Sequence, residues 1–254
     1  MEVGIVGKPN VGKSTFFRAL TLKDAQIADF PFTTIEPNVG VGYVRSRCAG
    51  SFFGLQCNAV NSVCKSGYRF VPIKVIDVAG LVPGAHEGKG LGNQFLDDLR
   101  RADVLIHVVD ISGKTDEKGN KTRGYDPAND IMFLEEEINH WFQAILKRNW
   151  SKISSKVKHG NADLVSELST QLAGLGIAET HVNEALSKAK LNPEKDWGSG
   201  ELEDFAVALR IISKPILVAA NKIDLDEQRN YERLSKKYEI IPVCSEAELA
   251  LKQA

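Results

Sequence analysis

Hydrophobic residues in the first part of the chain come in short runs rich in Val and Ile, separated by glycine-containing turns. The clearest runs are residues 2–6, 72–76 and 104–109. Their length and composition are typical of strands that are buried on both faces of a parallel sheet. Residues 41–47 and 68–74 flank a cysteine-bearing segment, and we expect them to form an antiparallel pair of strands.

From residue 126 to residue 213 the apolar residues recur at steps of three and four, which is typical of helices packed on one face. One such stripe begins at Ile131, a second begins at Leu164, and a third follows Ser199, the expected N-cap. No β-rich run interrupts this segment, so we expect a helical insertion.

Strand character returns at residues 215–220 and again at residues 238–243, before a C-terminal segment with a helical pattern. Strands on both sides of a helical segment indicate one α/β domain that the helices interrupt. We therefore predict a discontinuous α/β domain formed by residues 1–125 and 214–254, with residues 126–213 as the helical insertion.

The chain has 254 residues, of which 43% are hydrophobic and 26% are charged. This balance is ordinary for a globular protein and excludes a disordered chain, a collagen-like fibre and a disulfide scaffold. With 32 basic and 33 acidic residues, the net charge of −1 provides no overall attraction to nucleic acid, so any basic contact surface must be local.

The N-terminus has an acidic residue at position 2 and no signal-peptide organisation, and no apolar run reaches the roughly 18 residues that cross a bilayer. We therefore expect a cytoplasmic protein. In a reducing compartment the four cysteines are expected to be free thiols. Cys48, Cys57 and Cys64 lie close in sequence, but their spacing is wider than the CxxC pair of a zinc finger, which disfavours a metal site there.

The segment GKPNVGKS, residues 7–14, matches the pattern GxxxxGK[ST] between a predicted strand and a predicted helix. That context favours a phosphate-binding loop over a chance glycine-rich turn. Backbone N–H groups of such a loop surround phosphate oxygens, Lys13 would neutralise the β- and γ-phosphates, and the Ser14 hydroxyl would bind Mg²⁺. The expected nucleotide-binding residues are Lys8, Pro9, Asn10, Val11, Gly12, Lys13, Ser14 and Thr15.

A second motif, DVAG at residues 77–80, follows the predicted strand at residues 72–76. At this position Asp77 would contact Mg²⁺ through a water molecule, and the Gly80 N–H would contact the γ-phosphate. The alternative is an ordinary turn at the end of a strand, in which Asp and Gly are common.

A third motif, NKID at residues 221–224, again follows an apolar run, and its candidate base-binding residues are Asn221, Lys222 and Asp224. The carboxylate of Asp224 only accepts hydrogen bonds, so it would pair with the N1–H and 2-amino groups of guanine. Adenine offers neither donor there and would leave the carboxylate unpaired. The motif therefore favours a guanine nucleotide over a mere surface turn.

Three motifs in this order at strand ends define a G domain. On these motifs, and on residues 30–35, 77–85 and 88–96, nearly the whole chain resembles the Obg-related translation-factor GTPases, most closely the YchF (Obg-like ATPase) family in its archaeal-type form. The resemblance implies a P-loop NTPase G domain with a mostly parallel sheet flanked by helices. It also implies Mg²⁺-dependent hydrolysis of GTP and a nucleotide-controlled switch linked to the ribosome. Members of that family continue into a C-terminal TGS domain, so the resemblance implies that this sequence, ending at Ala254, is a truncated form or a fragment.

The resemblance also implies roles for residues outside the three motifs. It places Thr33 and Thr34 in the first switch region, with Thr34 as the residue that reaches Mg²⁺ and the γ-phosphate. It places Cys244, Ser245 and Glu246 in the loop whose backbone N–H groups meet the guanine oxygen.

The group that orients the attacking water is not evident from the motifs. Leu81 stands where many GTPases carry a glutamine, and a leucine side chain cannot polarise water. His86 and His107 are candidates for this role by their chemistry. The resemblance favours His107, although a satisfied core histidine is an equally good interpretation of a histidine within a strand.

Asn10 has two interpretations of equal weight. An asparagine at this loop position occurs in GTPases that use K⁺ in place of an arginine finger, where the cation stabilises charge on the phosphates. Alternatively, the side chain only fixes the loop.

A local cluster of basic residues lies at residues 147–158, beside Trp150, and could contact RNA phosphates on a ribosome. The alternative is a solvated helix face. Three functions stay open at this point: a GTPase, an ATP-preferring relative of it, and a nucleotide-gated ribosome or RNA adaptor with negligible hydrolysis.

Overall fold

The computed structural model describes residues 1–21, 38–78, 92–160, 163–193, 195 and 197–254. Over these residues the strands are β1 (Glu2–Val6), β2 (Val39–Arg47), β3 (Val63–Lys65), β4 (Tyr68–Asp77), β5 (Val104–Asp110), β6 (Ile216–Asn221) and β7 (Ile240–Pro242). The helices are α1 (Lys13–Thr21), α2 (Ala49–Phe52), α3 (Gly92–Arg101), α4 (Ala128–Lys158), α5 (Leu164–Leu172), α6 (Glu179–Ala189), α7 (Ser199–Ser213), α8 (Asn230–Leu234) and α9 (Ser245–Gln253).

The strands form one mixed sheet in the order β2-β4-β1-β5-β6-β7, with β3 added to β4. The pairs from β4 through β7 are parallel, whereas β2 and β3 pair antiparallel with β4. Val41 lies opposite Lys74 and Arg47 lies opposite Tyr68, which confirms the predicted antiparallel pair. The predicted α/β fold of a P-loop G domain is therefore confirmed.

The parallel strands bring the three motifs to one edge of the sheet. The first motif follows β1, the second begins at the last residue of β4, and the third begins at the last residue of β6. Ile5 lies opposite Asp77, and Asp110 at the end of β5 lies opposite Asn221. Carboxyl ends of parallel strands are where ligands bind in open α/β sheets.

Helices α4 to α7 occupy the chain between β5 and β6, where a helical insertion was predicted. Most of their buried apolar side chains belong to a hydrophobic cluster that also includes residues of the sheet and runs from Ile76 and Leu105 through Leu134 to Leu202. The helical region is therefore packed onto the sheet through a shared core. The division into two domains at residues 126–213 stays a prediction.

The start of α7 differs from the expected one by one residue. Ser199 is the first helical residue, and Gly198 is the N-cap. The Glu201 carboxylate accepts a 3.0 Å hydrogen bond from the Gly198 N–H, which satisfies a donor that the helix leaves unpaired. Gly198 can serve as the N-cap without a side chain because the hydrogen bond to Glu201 is made by its backbone N–H.

In the described part of the chain, a membrane-spanning helix is not found: none combines the required length with sufficient hydrophobicity.

Candidate nucleotide-binding site

The loop between β1 and α1 has a backbone that only certain residues tolerate. Asn10 has φ of 63° and Gly12 has φ of 94°, both in the left-handed region. A Cβ atom at Gly12 would lie 2.4 Å from Nδ2 of Asn221, so no larger residue fits. The turn ends where the Phe16 N–H donates to the Gly12 carbonyl, and α1 begins at Lys13. The first residues of α1 therefore have N–H groups without partners inside the helix, and such groups can bind an anion.

Lys13 joins the first motif to the second. Its Nζ donates a 2.7 Å hydrogen bond to the Val78 carbonyl and lies 3.3 Å from Oδ1 of Asp77. The same Oδ1 is buried and, among the described residues, has no hydrogen-bond partner. A buried carboxylate oxygen without a donor is suited to a hydrated cation, and the exposed Ser14 hydroxyl lies in the first turn of α1. These residues fit a Mg²⁺ ion.

Asn221 joins the first motif to the chain segment after β7. Its Nδ2 donates a 2.8 Å hydrogen bond to the Val11 carbonyl, and its Oδ1 accepts hydrogen bonds from N (3.0 Å) and Oγ (2.8 Å) of Ser245. The side chain is only 2% exposed. The side-chain amide of Asn221 therefore fixes the phosphate-binding loop against the predicted base-binding loop by hydrogen bonds to both.

Lys222 makes a second connection at the same place. Its Nζ donates to the Asn10 carbonyl (2.8 Å) and to Oδ2 of Asp110 (2.9 Å). Asp110 is buried, and it also accepts from Thr115 Oγ1 (2.9 Å) and from the hydroxyl and N–H of Ser112. Burial alone would raise the pKa of Asp110, but hydrogen bonds from Ser112, Lys222 and Thr115 outweigh it and lower the pKa. The carboxylate therefore stays charged and holds Lys222.

Asp224 and Cys244 lie together at the predicted base site. The Asp224 side chain is exposed and hydrogen-bonded to the Cys244 thiol. The N–H of Ala247 lowers the pKa of Cys244, but the Asp224 contact and burial outweigh it, and the pKa is raised. The backbone N–H of Glu246 also donates to the Cys244 sulfur, so this N–H group has a partner within the loop.

Lys8 does not direct its side chain at the phosphate position. Its Nζ donates to the Thr115 carbonyl (2.9 Å), pairs with Oδ2 of Asp130 (2.8 Å) and lies 4.0 Å from the centre of the Tyr125 ring. Lys8 is 7% exposed. Only its backbone is left for a phosphate, and its predicted place among the nucleotide-binding residues stays a prediction.

Asn10 and the exposed Pro9 pack against the segment that follows β5. Nδ2 of Asn10 donates a 2.9 Å hydrogen bond to the Gly119 carbonyl. A Cβ atom at Gly119 would lie 2.6 Å from the carbonyl oxygen of Pro9. These contacts support the interpretation in which the Asn10 side chain fixes the loop.

His107 lies within β5, in register with Val6 of β1 and Val218 of β6. It is 2% exposed, and its Nδ1 has no hydrogen-bond partner among the described residues. Burial, helped by the positive charge of Lys8, lowers the pKa of His107 to about 3, so the ring is neutral at physiological pH. A buried neutral ring beside the Lys8 charge is a feature of the core. The geometry favours the core interpretation over the catalytic one.

Several predicted residues lie outside the part that the structure describes: Thr33, Thr34, Gly80, Leu81 and His86. Their predicted roles in the two switch regions stay predictions. The described residues of the three motifs, by contrast, are brought together at one edge of the sheet.

The basic cluster of residues 147–158 is partly neutralised by acids from neighbouring helices. Lys147 pairs with Glu203 at 2.9 Å, and Lys156 pairs with Glu167 at 2.6 Å. The Trp150 ring stacks on Trp197 with centroids 5.1 Å apart and an interplanar angle of 13°. One face of the Trp150 ring is thus covered, and the ion pairs of Lys147 and Lys156 favour a solvated helix surface.

Two family models match the chain. A model described as "50S ribosome-binding GTPase" matches residues 2–155, and one described as "Obg-like GTPase YGR210-like, G4 motif-containing domain" matches residues 219–254. The chain belongs to the Obg-like GTPases. These matches confirm the resemblance to Obg-related GTPases that the motifs indicated.

Relatives of this Obg-like GTPase are found in archaea and in yeast. An uncharacterized GTP-binding protein of Methanocaldococcus jannaschii is 50% identical over 99% of this chain and 65% of its own length. One of Schizosaccharomyces pombe is 44% identical over 92% of this chain and 58% of its own length. The crystal structure of a GTP-binding protein from Pyrococcus horikoshii matches with a TM-score of 0.81 and 39% identity, over all of this chain and 67% of that one. The chain spans less than two thirds of the length of the first two relatives.

Two carboxylates at the site of this Obg-like GTPase lie outside the three motifs. Asp110 and Asp130 hold Lys222 and Lys8, and neither belongs to a motif. A signal existed for Asp110, because an Asp that ends a buried run of Val residues falls at the same sheet edge as the motifs. Asp130 had no such signal, since it lies in the first turn of a helix.

Proposed function

We propose that the protein is a Mg²⁺-dependent GTPase that hydrolyses GTP to GDP and phosphate and acts as a nucleotide-controlled switch linked to the ribosome. The observation that carries the proposal is the double contact of Asn221, which joins Val11 of the phosphate-binding loop to Ser245 of the base-binding loop. A loop for phosphates and a loop for a purine, held at a fixed separation, suit a purine nucleotide.

The phosphate part of the ligand would be bound by backbone N–H groups of the loop and by Lys13. Lys13 now contacts Val78 and Asp77, so a triphosphate would replace these partners with phosphate oxygens. The exchange would release the end of β4 from the loop. In this way the occupancy of the phosphate site is communicated to the second motif.

Ser14 and Asp77 would hold Mg²⁺, with Thr34 as the predicted additional contact. When bound, the ion supplies positive charge that stabilises the negative charge of the phosphates. The residues of this chain would orient the ligand: the backbone of the loop would hold the phosphates, and Lys13 would neutralise their charge.

The base would be recognised by Asp224. Its exposed carboxylate lies next to Cys244, where it can accept from the two donors of a guanine edge. Relatives named as GTP-binding proteins support this choice. ATP is the alternative, because more distant relatives carry the names "Ribosome-binding ATPase YchF" and "Obg-like ATPase 1".

Calorimetric titration of GTP and ATP into nucleotide-free protein tests the base assignment. We expect GTP to bind at least about 100-fold more tightly, because a site that hydrogen-bonds one substrate rejects the other strongly. Asp224→Asn should remove this preference, whereas the exposed Glu227→Gln should retain it. Equal affinities for the two nucleotides, or tighter ATP binding, would contradict the assignment.

A second function, a nucleotide-gated adaptor with negligible hydrolysis, is supported by the enclosed position of His107 and by Leu81. Single-turnover hydrolysis, measured with and without K⁺ and with and without ribosomes, separates the two. Acceleration by K⁺ that Asn10→Ala abolishes would support a cation at Asn10. If no condition accelerates hydrolysis, the adaptor is the correct function.

The basic cluster and the family name "50S ribosome-binding GTPase" support a ribosomal partner.

A further inference from the structure

Residues 48–67 form an excursion between β2 and β4 that is folded without a hydrophobic core. All of these residues are described, and Cys48 is the only buried one among them. Large apolar side chains point outward, with Phe52 81%, Phe53 71% and Leu55 68% exposed. A segment that buries so little apolar surface needs another source of stability, and small protein units use disulfides or metal ions for this purpose.

Three cysteine thiols meet at the centre of the excursion. The sulfur atoms of Cys48, Cys57 and Cys64 all lie within 4.8 Å of one another. Their wide sequence spacing argued against such a cluster, but the chain folds back on itself. β3, which contains Cys64, pairs with β4, and the Cys48 N–H donates a 2.9 Å hydrogen bond to the Gly67 carbonyl. Two of the sulfurs are thus held by the sheet, and the third is carried by the loop.

We propose that Cys48, Cys57 and Cys64 bind a thiophilic divalent cation, Zn²⁺, that closes the excursion. Tetrahedral zinc with Zn–S bonds of about 2.3 Å places its sulfur ligands roughly 3.8 Å apart, so shifts of about 1 Å suffice. Each thiol loses its proton to solvent as its Zn–S bond forms, and no oxidant is needed. The fourth position is taken by water or by a ligand from outside the described residues, among which no other His, Cys, Asp or Glu joins the cluster.

The backbone around Cys48 favours the thiolate of that residue, whereas Cys64 is held as a thiol by its neighbours. The backbone N–H of Ser51 donates to the Cys48 sulfur, as does that of Gly50, and together with the neighbouring thiols they lower the pKa of Cys48 to about 7. The sulfur of Cys48 in turn raises the pKa of Cys64 to about 11. Negative charge on one sulfur therefore opposes ionisation of the next, and a cation between them removes this repulsion. A disulfide would use only two of the three thiols.

The test uses the full chain, purified with a phosphine reductant and stripped of metal, and then titrated with Co²⁺ and Zn²⁺. We expect one equivalent of Co²⁺ with a thiolate-to-cobalt charge-transfer band, displaced stoichiometrically by Zn²⁺. Cys57→Ser and Cys64→Ser should lose the band and the bound equivalent. Cys244→Ser, which removes the one cysteine outside the cluster, should keep both.

If the one equivalent of Co²⁺ were bound in the nucleotide site, Cys57→Ser would still bind it. Retention of the bound Co²⁺ by Cys57→Ser would therefore overturn the proposal. A wild-type chain without a charge-transfer band, or with a disulfide in place of three thiols under the same reductant, would also overturn it. Should the variants fold poorly, limited proteolysis of wild-type protein decides. Zn²⁺ should slow cleavage within residues 48–67 at least about tenfold, and unchanged cleavage would contradict the site.

Discussion

Nζ of Lys8 and Oδ2 of Asp130 lie 2.8 Å apart, and both side chains are less than 10% exposed. The pair connects the loop after β1 to the first turn of α4, the longest helix of the region between β5 and β6. Tyr125 completes it with a 2.9 Å hydrogen bond from its hydroxyl to Asp130. The phosphate-binding loop and the helical region are therefore joined by a buried charge pair.

Removing one member of this pair should be strongly destabilising. Lys8→Met leaves the Asp130 carboxylate buried without its cation, and we expect unfolding free energy to fall by about 3 kcal/mol or more. Lys114→Met, which breaks the exposed pair with Glu227, should cost less than about 1 kcal/mol. Urea denaturation measures both. Comparable losses for the two variants would show that the Lys8 pair is not effectively buried.

Asn221→Ala should weaken nucleotide binding beyond its effect on stability. The variant removes the contacts to Val11 and Ser245, so the loops are no longer held together, and we expect GTP affinity to fall at least about tenfold. Asn230→Ala is the matched control, since it also removes a buried amide, the one that donates to the Ile111 carbonyl at 3.0 Å. Denaturation and calorimetry of both variants separate folding from binding. An equal loss of affinity in Asn230→Ala would contradict the bridging role.

His107 should make the protein less stable in mild acid. With a folded-state pKa of about 3, the native protein binds no proton at His107 while the unfolded chain does so below pH about 6.5. The unfolded state binds more protons, so stability falls as the pH falls, by up to about 1.4 kcal/mol per pH unit between pH about 6 and 4. His107→Gln should reduce this slope, measured by denaturation at several pH values. The exposed His159→Gln is the control, and equal slopes in wild type and His107→Gln would contradict the assignment.

A ribosomal contact through the basic cluster should depend on its unpaired members. Among the described residues, Arg148 and Lys152 form no ion pair, whereas Lys147 is already paired with Glu203. Lys152→Glu should weaken co-sedimentation with ribosomes and reduce its salt dependence. Glu203→Gln, which frees Lys147, should leave binding equal or stronger. If Lys152→Glu sediments as wild type does, the segment is a solvated helix face.

The parallel strands were accessible from the sequence because buried strands of this kind are short runs rich in Val and Ile. The pairing of residues 41–47 with 68–74 was predicted correctly, since two alternating runs flank one segment. The predicted N-cap at Ser199 was wrong because a backbone N–H at Gly198 pairs with Glu201 instead. A carboxylate three residues into the helix can pair with the backbone N–H of a preceding glycine, and the sequence pattern alone does not decide between this cap and a cap by the first polar residue.

The site was predictable where motifs are contiguous and not where partners are distant. The segment GKPNVGKS specifies a loop, but nothing in it indicates that Lys8 turns towards Asp130. The sulfurs of Cys48, Cys57 and Cys64 converge because a hairpin between β3 and β4 reverses the chain, and sequence spacing does not report such a reversal. Long-range contacts have no period along the chain, so they become visible only after folding.

In the proposed nucleotide complex, the buried amide of Asn221 would also make the binding of the base and the binding of the phosphates depend on each other. A guanosine fragment that orders Ser245 and its loop would, through this amide, order the Val11 carbonyl and its neighbours as well. Pyrophosphate bound at the first loop would likewise order the loop of Ser245. Each fragment would raise the affinity for the other by the same factor, because coupling free energies are reciprocal. Guanosine and pyrophosphate, each of low affinity alone, should therefore bind cooperatively when both are present. The covalent link in an intact nucleotide would add to this cooperativity.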